Sequence, residues 1–145
     1  MSRSSLIVMW SIVALVVGLS LVPYGEKTNP KSEKKLALQA PQKVIKILKK
    51  SCFDCHSNET KWPWYSDVFP LAWSIKDHVK NARASLNFSL WESYSEKKQK
   101  HLKEEIYRKT GRVMPLAEYM LFHSEAKLTP DEIKTVREWA EQKHF

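Results

Sequence analysis

The chain of 145 residues is 43% apolar and 28% charged, with a net charge of +8. That length suits one domain of ordinary size, and the apolar and aromatic content excludes wholesale disorder. Three glycines argue against a turn-rich all-β domain and a Gly-rich phosphate loop, and two cysteines within five residues exclude a multi-disulfide scaffold.

Residues 1–23 read as an export element. Met1 to Ser5 carry one positive side chain, Arg3. Leu6 to Val22 follow without a charge, a run of 17 residues spanning roughly 25 Å as a helix. Two readings stay open. Gly18-Leu19-Ser20 could precede a signal-peptidase cut, whereas continuation of the run to Pro23 suits a retained signal anchor.

The positive charge is concentrated just beyond. Residues 26–50 carry a balance of +6, and residues 51–145 only +1. A nucleic-acid module would carry its charge on the folded domain, so no nucleic-acid partner is expected. Residues 24–40 read as a solvated, lysine-rich tether, with a modest attraction to anionic headgroups as a secondary role.

Residues 41–145 read as one helical domain. Pro41 opens a short amphipathic helix with Val44, Ile45 and Leu48, running into Cys52. Residues 57–69 look irregular. Pro70 starts a second helix, on which Leu71, Ile75, His78 and Ala82 share one face. Asn87-Phe88-Ser89 breaks that pattern. Ser95 caps a third helix through Lys109, with Leu102 and Ile106 inward and Gly111 past its end. Met114-Pro115 lies in a loop before a short helix through Tyr119 and Leu121. Thr129-Pro130-Asp131-Glu132 is a capping box that opens the last helix, with Ile133, Val136 and Ala140 inward and Trp139 beside them. No strand, repeat or low-complexity block is evident, so the predicted class is all-α.

Cys52-Phe53-Asp54-Cys55-His56 carries the chemistry. C-x-x-C-H is the attachment signature of c-type haem. Two thiols three positions apart near a helical turn reach both vinyl groups of one porphyrin. The next imidazole then comes beneath the iron as proximal ligand. The expectation is one covalent haem c, bound through Cys52 and Cys55 with His56 on the metal. Such attachment occurs on the exported side of the membrane, which suits the apolar amino terminus. It places the haem domain on the periplasmic side of the cytoplasmic membrane. A thioredoxin-like reading would need a βαβ context, a zinc site would need further ligands, and a plain disulfide would leave His56 unexplained.

The sixth iron ligand has several candidates. Met114 would bring a thioether from its Met-Pro loop, and methionine ligation raises the potential. It could equally fill a gap in the core. His78 is the alternative distal ligand, or a core histidine held by a hydrogen bond. His123 could instead cap a helix end, Met120 suits a core position, and the iron could also be open. His101 and His144 read as solvent-facing. Among Trp62, Trp64 and Trp73, one or two could wall the haem or simply pack a small core. Asn58, Arg83 and Arg112 are possible propionate partners, although arginines are more often surface residues.

The motif is followed by Ser57-Asn58-Glu59-Thr60, Pro63-Trp64-Tyr65, His78-Val79, Leu86-Asn87-Phe88-Ser89, Met114-Pro115, Tyr119, His123 and Leu128-Thr129. In this combination, over about residues 44–141, the sequence resembles the bacterial haem-binding domain family, small exported or membrane-anchored mono-haem proteins similar to cytochrome c. Ser124 departs from the proline expected after His123. The resemblance implies covalent haem c and a compact helical fold, but no particular redox partner. Both His78 and Met114 belong to the shared pattern. The Met-Pro loop ahead of a capped last helix also resembles class I cytochromes c, which favours Met114.

Three functions follow as expectations. The first is a membrane-tethered mono-haem electron carrier with no catalytic residues of its own. The second is a haem-based gas sensor or ligand-binding domain. The third is a peroxidase-like enzyme, which would need distal acid–base groups.

Overall fold

The computed structural model describes residues 2–142, so His144 lies outside the described residues. The described residues are helical, with no β-strand and a single isolated bridge between Thr110 and Met114. The all-α expectation is met.

Helix α1 (Arg3–Ser20) has Ser2 at its N-cap and none of its side chains buried. Its mean hydropathy of 1.8 over 18 residues makes it long and apolar enough to cross a membrane. Only Val16, Leu19 and Ser20 near its end are half-buried.

Helix α2 (Gln42–Ser51) follows Pro41 and buries Val44, Ile47, Leu48 and Ser51, one helical face. Cys52 leaves the helical region (φ −130°), and the short helix α3 (Phe53–His56) restarts the chain at an angle. Helix α4 (Leu71–Ser85) follows Pro70. Helix α5 (Glu96–Lys109) is capped by Ser95 and buries Leu102 and Ile106, as the pattern predicts. Helix α6 (Ala117–Phe122) is short. Helix α7 (Pro130–Glu141) opens on the complete Thr129–Glu132 capping box and buries Val136, Trp139 and Ala140.

The core joins α2, α5 and α7 through Val44, Leu48, Leu102, Ile106, Val136 and Trp139, and the same cluster takes in Phe53 of the C-x-x-C-H motif, Phe88 and Trp91. Leu48 is 1% exposed, so removing its side chain would cost about 2–5 kcal/mol. The segment 24–40 is not the free tether its composition suggests. Leu38 is buried in the core and its N–H donates to the Phe88 carbonyl at 2.8 Å.

Two contacts at the ends of α5 and α7 give measurable expectations. Gly111 ends α5 at φ +72°, and a Cβ there would come within 2.5 Å of Ile133 Cδ1. Its N–H also donates to the Met114 carbonyl at 2.9 Å. Gly111→Ala therefore combines left-handed strain with overpacking, about 2–4 kcal/mol together. Thermal unfolding should show a fall in Tm on the order of 10 °C.

At the start of α7, Lys50 Nζ reaches Glu132 Oε1 at 2.6 Å and Oε2 at 2.7 Å, and the Thr129 N–H donates to the same carboxylate. The Lys50 hydrogen bond, then the Thr129 backbone, hold the Glu132 carboxyl below the usual carboxylate range. A depressed folded-state pKa stabilises the fold above the unfolded value of ~4.3, and this is lost as pH falls through the folded value. Because the pair is partly exposed, it contributes under about 1 kcal/mol. Glu132→Gln should lower Tm slightly at pH 7, and the difference from wild type should close as the pH is taken down through the lowered folded-state value. A constant difference across that range would show that the cap alone matters.

Candidate functional site

The C-x-x-C-H residues sit where α2 turns into α3. The Cys52 N–H still donates to the Leu48 carbonyl at 2.8 Å, closing α2. The Cys52 carbonyl then accepts from Cys55 N at 3.2 Å and His56 N at 2.9 Å, so the motif is one tight helical turn. A shelf of polar bonds holds that turn. Ser57 Oγ donates to the Phe53 carbonyl at 2.7 Å, Thr60 Oγ1 to the Asp54 carbonyl at 2.7 Å, and the Asn58 N–H to Ser89 Oγ at 2.9 Å. Asn87 Nδ2 donates to Asn58 Oδ1 at 2.8 Å. Phe53 stacks on Phe88 with ring centroids 5.3 Å apart. The Asn87-Phe88-Ser89 break thus supports the motif from below.

A cleft of about 270 Å³ opens above it. Its walls come from three stretches of chain: Ser51, Cys52, Asp54, Cys55 and His56; His78, Asn81, Ala82 and Ser85 of α4; and Met114, Pro115, Leu116 and Tyr119. The two thiols, His56 and the two leading distal candidates, Met114 and His78, therefore line one cleft, whereas the other candidates do not.

Burial dominates the protonation states here. It pushes the Cys52 thiol up to about 12, with Cys55 adding to the effect, and the Cys55 thiol up to about 11, with Asp54 adding. Both thiols are free and uncharged at neutral pH. Burial lowers the His56 pKa, while its backbone hydrogen bonds oppose the shift. His56 Nδ1 lies 3.1 Å from the Leu86 carbonyl. A carbonyl only accepts, so Nδ1 carries the proton and the Nε2 lone pair is left for a metal.

Met114 is held by the end of α5. Its N–H donates to the Lys109 carbonyl at 3.2 Å and its carbonyl accepts from Gly111. Arg137 Nη2 donates to the Thr110 carbonyl at 2.7 Å, tying the same turn to α7.

Several expectations change. The face of Leu71, Ile75, His78 and Ala82 is only half-buried; α4 buries Ala72 and Val79 instead. His78 and Ala82 face the cleft rather than the protein core. Trp62, Trp64 and Trp73 do not line the cleft, and Trp64 is 81% exposed. Met114, Leu116 and Tyr119 form that wall instead. His123 is turned away from the cleft. Its Nε2 meets the Tyr65 hydroxyl at 2.7 Å and its Nδ1 meets Glu125 at 3.0 Å, which occupies both ring nitrogens. Met120 is half-buried outside the cleft, and His101 is exposed. Asn58 is consumed by the shelf and Arg112 is exposed. Arg83 donates to Ser57, Thr28, Asn29 and Thr60, away from the cleft.

Sequence reasoning did not assign Tyr119 a role. Its hydroxyl donates to Asp54 Oδ2 at 2.7 Å and its ring stacks on His123 at 4.4 Å, clamping α6 against the motif. Burial, then the Asp54 bond, raise its pKa, so it remains a donor. Asn81 and Ser85 were also missed. They follow His78 by three and seven residues, positions on the same helical face and a usable signal once His78 is placed at a site.

The donor set fits a haem. It offers two protonated thiols on one turn, a neutral imidazole with one nitrogen free, a thioether and a second imidazole. Ser51 Oγ is also buried at this wall without a hydrogen-bond partner among the described residues. No curated protein and no solved structure matches the sequence. The model of the haem-binding domain family matches residues 14–142, which includes the whole cleft, and the chain belongs to that family.

Proposed function

We propose that the chain is a mono-haem c-type electron carrier, anchored by α1 with its haem domain on the periplasmic side of the cytoplasmic membrane. The observation that carries this reading is the convergence of Cys52, Cys55, His56 and Met114 on one cleft. A haem bound there supplies one-electron exchange at its iron.

Cys52 and Cys55 would each add an S–H across a vinyl double bond. A C–S bond forms, the thiol hydrogen ends on the neighbouring carbon, and no external oxidant is consumed. Two such bonds hold a cofactor that a cleft of about 270 Å³ does not enclose. His56 Nε2 would be the proximal ligand, oriented by the Leu86 carbonyl.

In this reading Met114 would hold the iron opposite His56, with His78 as the alternative. His56 leans on the last turn of α4 through Leu86 and Ala82, and α4 also carries His78. Met114 comes from a different stretch of chain. Its turn is fixed to α5 and α7, and an immobile ligand pair keeps rearrangement small when the oxidation state changes. Tuning of potential then rests on ligand type and burial. No redox partner is assigned, and no nucleic-acid partner is proposed.

The test is the visible spectrum of the full chain, exported with haem-maturation machinery, in both oxidation states. A six-coordinate low-spin spectrum with the weak far-red band of sulfur ligation supports the carrier with Met114. Low-spin without that band supports His78. A high-spin spectrum with rapid carbon monoxide binding to the reduced form would replace electron transfer with ligand sensing. Peroxide turnover would instead favour a peroxidase-like enzyme.

A further inference from the structure

The chain leaving α1 does not swing free of the haem domain. Ser20 Oγ accepts from the Phe69 N–H at 3.0 Å, although Ser20 belongs to the apolar helix itself. The Tyr24 ring stacks on Trp73 at 4.7 Å, and its hydroxyl donates to Asp77 at 2.7 Å. Phe69 meets the same Trp73 edge-on at 5.2 Å. Gly25 has φ +58°, and a Cβ there would lie 3.1 Å from Lys76 Cβ, so the backbone passes directly over α4. Lys27 pairs with Asp67. Asn29 makes two bonds to the Thr60 backbone, to its carbonyl at 2.9 Å and from its N–H at 3.2 Å. Arg83 Nη1 closes the series on the Thr28 carbonyl at 2.7 Å. Residues 20–29 thus form a strap laid along α4, bonded from Phe69 at one end to Arg83 at the other.

This fixes the direction in which α1 leaves the domain. At its root stand Phe69, Trp73 and Tyr24, with Val68 beside them and 37% exposed. Tryptophan and tyrosine are the residues that settle at the headgroup level of a bilayer, with ring in the apolar edge and polar atom in water.

We propose that this strap seats the haem domain on the phospholipid surface in one orientation, with Phe69, Trp73, Tyr24 and Val68 at headgroup level. The inference rests on the reading of α1 as a retained anchor. A domain seated in this way presents its haem at one height above the membrane, to partners held at that surface.

The test uses the full-length holoprotein in phosphatidylethanolamine–phosphatidylglycerol vesicles. Both native cysteines are consumed by haem, so Val68→Cys and, separately, Lys100→Cys each give one site for a nitroxide label. Both positions are exposed, and an unchanged haem spectrum checks folding. Collision with oxygen and with a water-soluble nickel complex reports depth. At 68 the oxygen-to-nickel ratio should exceed that at 100 several-fold. Adding Lys27→Ala and Asn29→Ala should bring the ratio at 68 down towards the value at 100. Equal ratios at 68 and 100 in a protein whose intact mass includes α1 overturn the seat and leave the anchor standing. A ratio at 68 that is high but unmoved by the added substitutions overturns the strap's role. An intact mass that begins after residue 20, with soluble protein, overturns the anchored reading and the seat with it.

Discussion

In the Cys52→Ala, Cys55→Ala double variant, all haem should be extracted by acidified organic solvent, whereas in wild type it should stay with the denatured polypeptide. Each single variant should retain one thioether and show a reduced-state absorption band shifted from wild type. The argument is geometric. Both thiols stand on the turn closed by the Cys52 carbonyl and both line the cleft, with no other cysteine in the chain. Haem still fixed to the denatured double variant would sink the attachment reading. The protonation states add a kinetic expectation. With thiols pushed up to about 12 and about 11 by burial, the folded apoprotein holds almost no thiolate at pH 8. The unfolded chain, near the unperturbed value of ~8.5, should alkylate faster by about two orders of magnitude or more.

The helices were legible because their signals are local. The Ser95 and Thr129 caps, the Pro41 and Pro70 starts and the Gly111 stop lie within a turn of the boundaries they set. The sequence resemblance and the C-x-x-C-H spacing also picked out residues that meet at one cleft. What misled was periodicity read without a cofactor. An apolar helical face is normally a core face, but on α4 the later part of that face, His78 and Ala82, lines a cleft and stays half-buried, while Ala72 and Val79 take the core. The tryptophans misled for a related reason. A large apolar ring suits a porphyrin wall, yet Trp73 serves the strap and Trp64 stands in solvent. The strap was illegible because its bonds join residues 31 to 55 positions apart. Lysine-rich composition gives no sign of partners such as Asp67 or Arg83.

Met114→Ala should produce the second large effect. If Met114 ligates the iron, the far-red sulfur band disappears and the reduction potential falls. The fall should be on the order of 100 mV, a fraction of the roughly 0.8 V over which axial ligands tune haem. The sign follows from the ligand, since a thioether favours the reduced iron more than water or imidazole does. His78→Ala separates the two candidates. It should leave the sulfur band in place and move the potential little, because His78 then only lines the cleft beside Asn81 and Ala82. The reverse pattern, with Met114→Ala silent and His78→Ala giving a high-spin spectrum, would assign the iron to His56 and His78. Gly111→Ala provides an internal control on this reasoning. It leaves both candidate side chains intact but displaces the turn whose N–H holds the Met114 carbonyl. A weakened sulfur band in that variant, at a temperature where it is fully folded, would show that the α5 turn sets the iron–sulfur bond. An unchanged band would mean that the loop adjusts and that Met114 is held by the iron rather than by the chain.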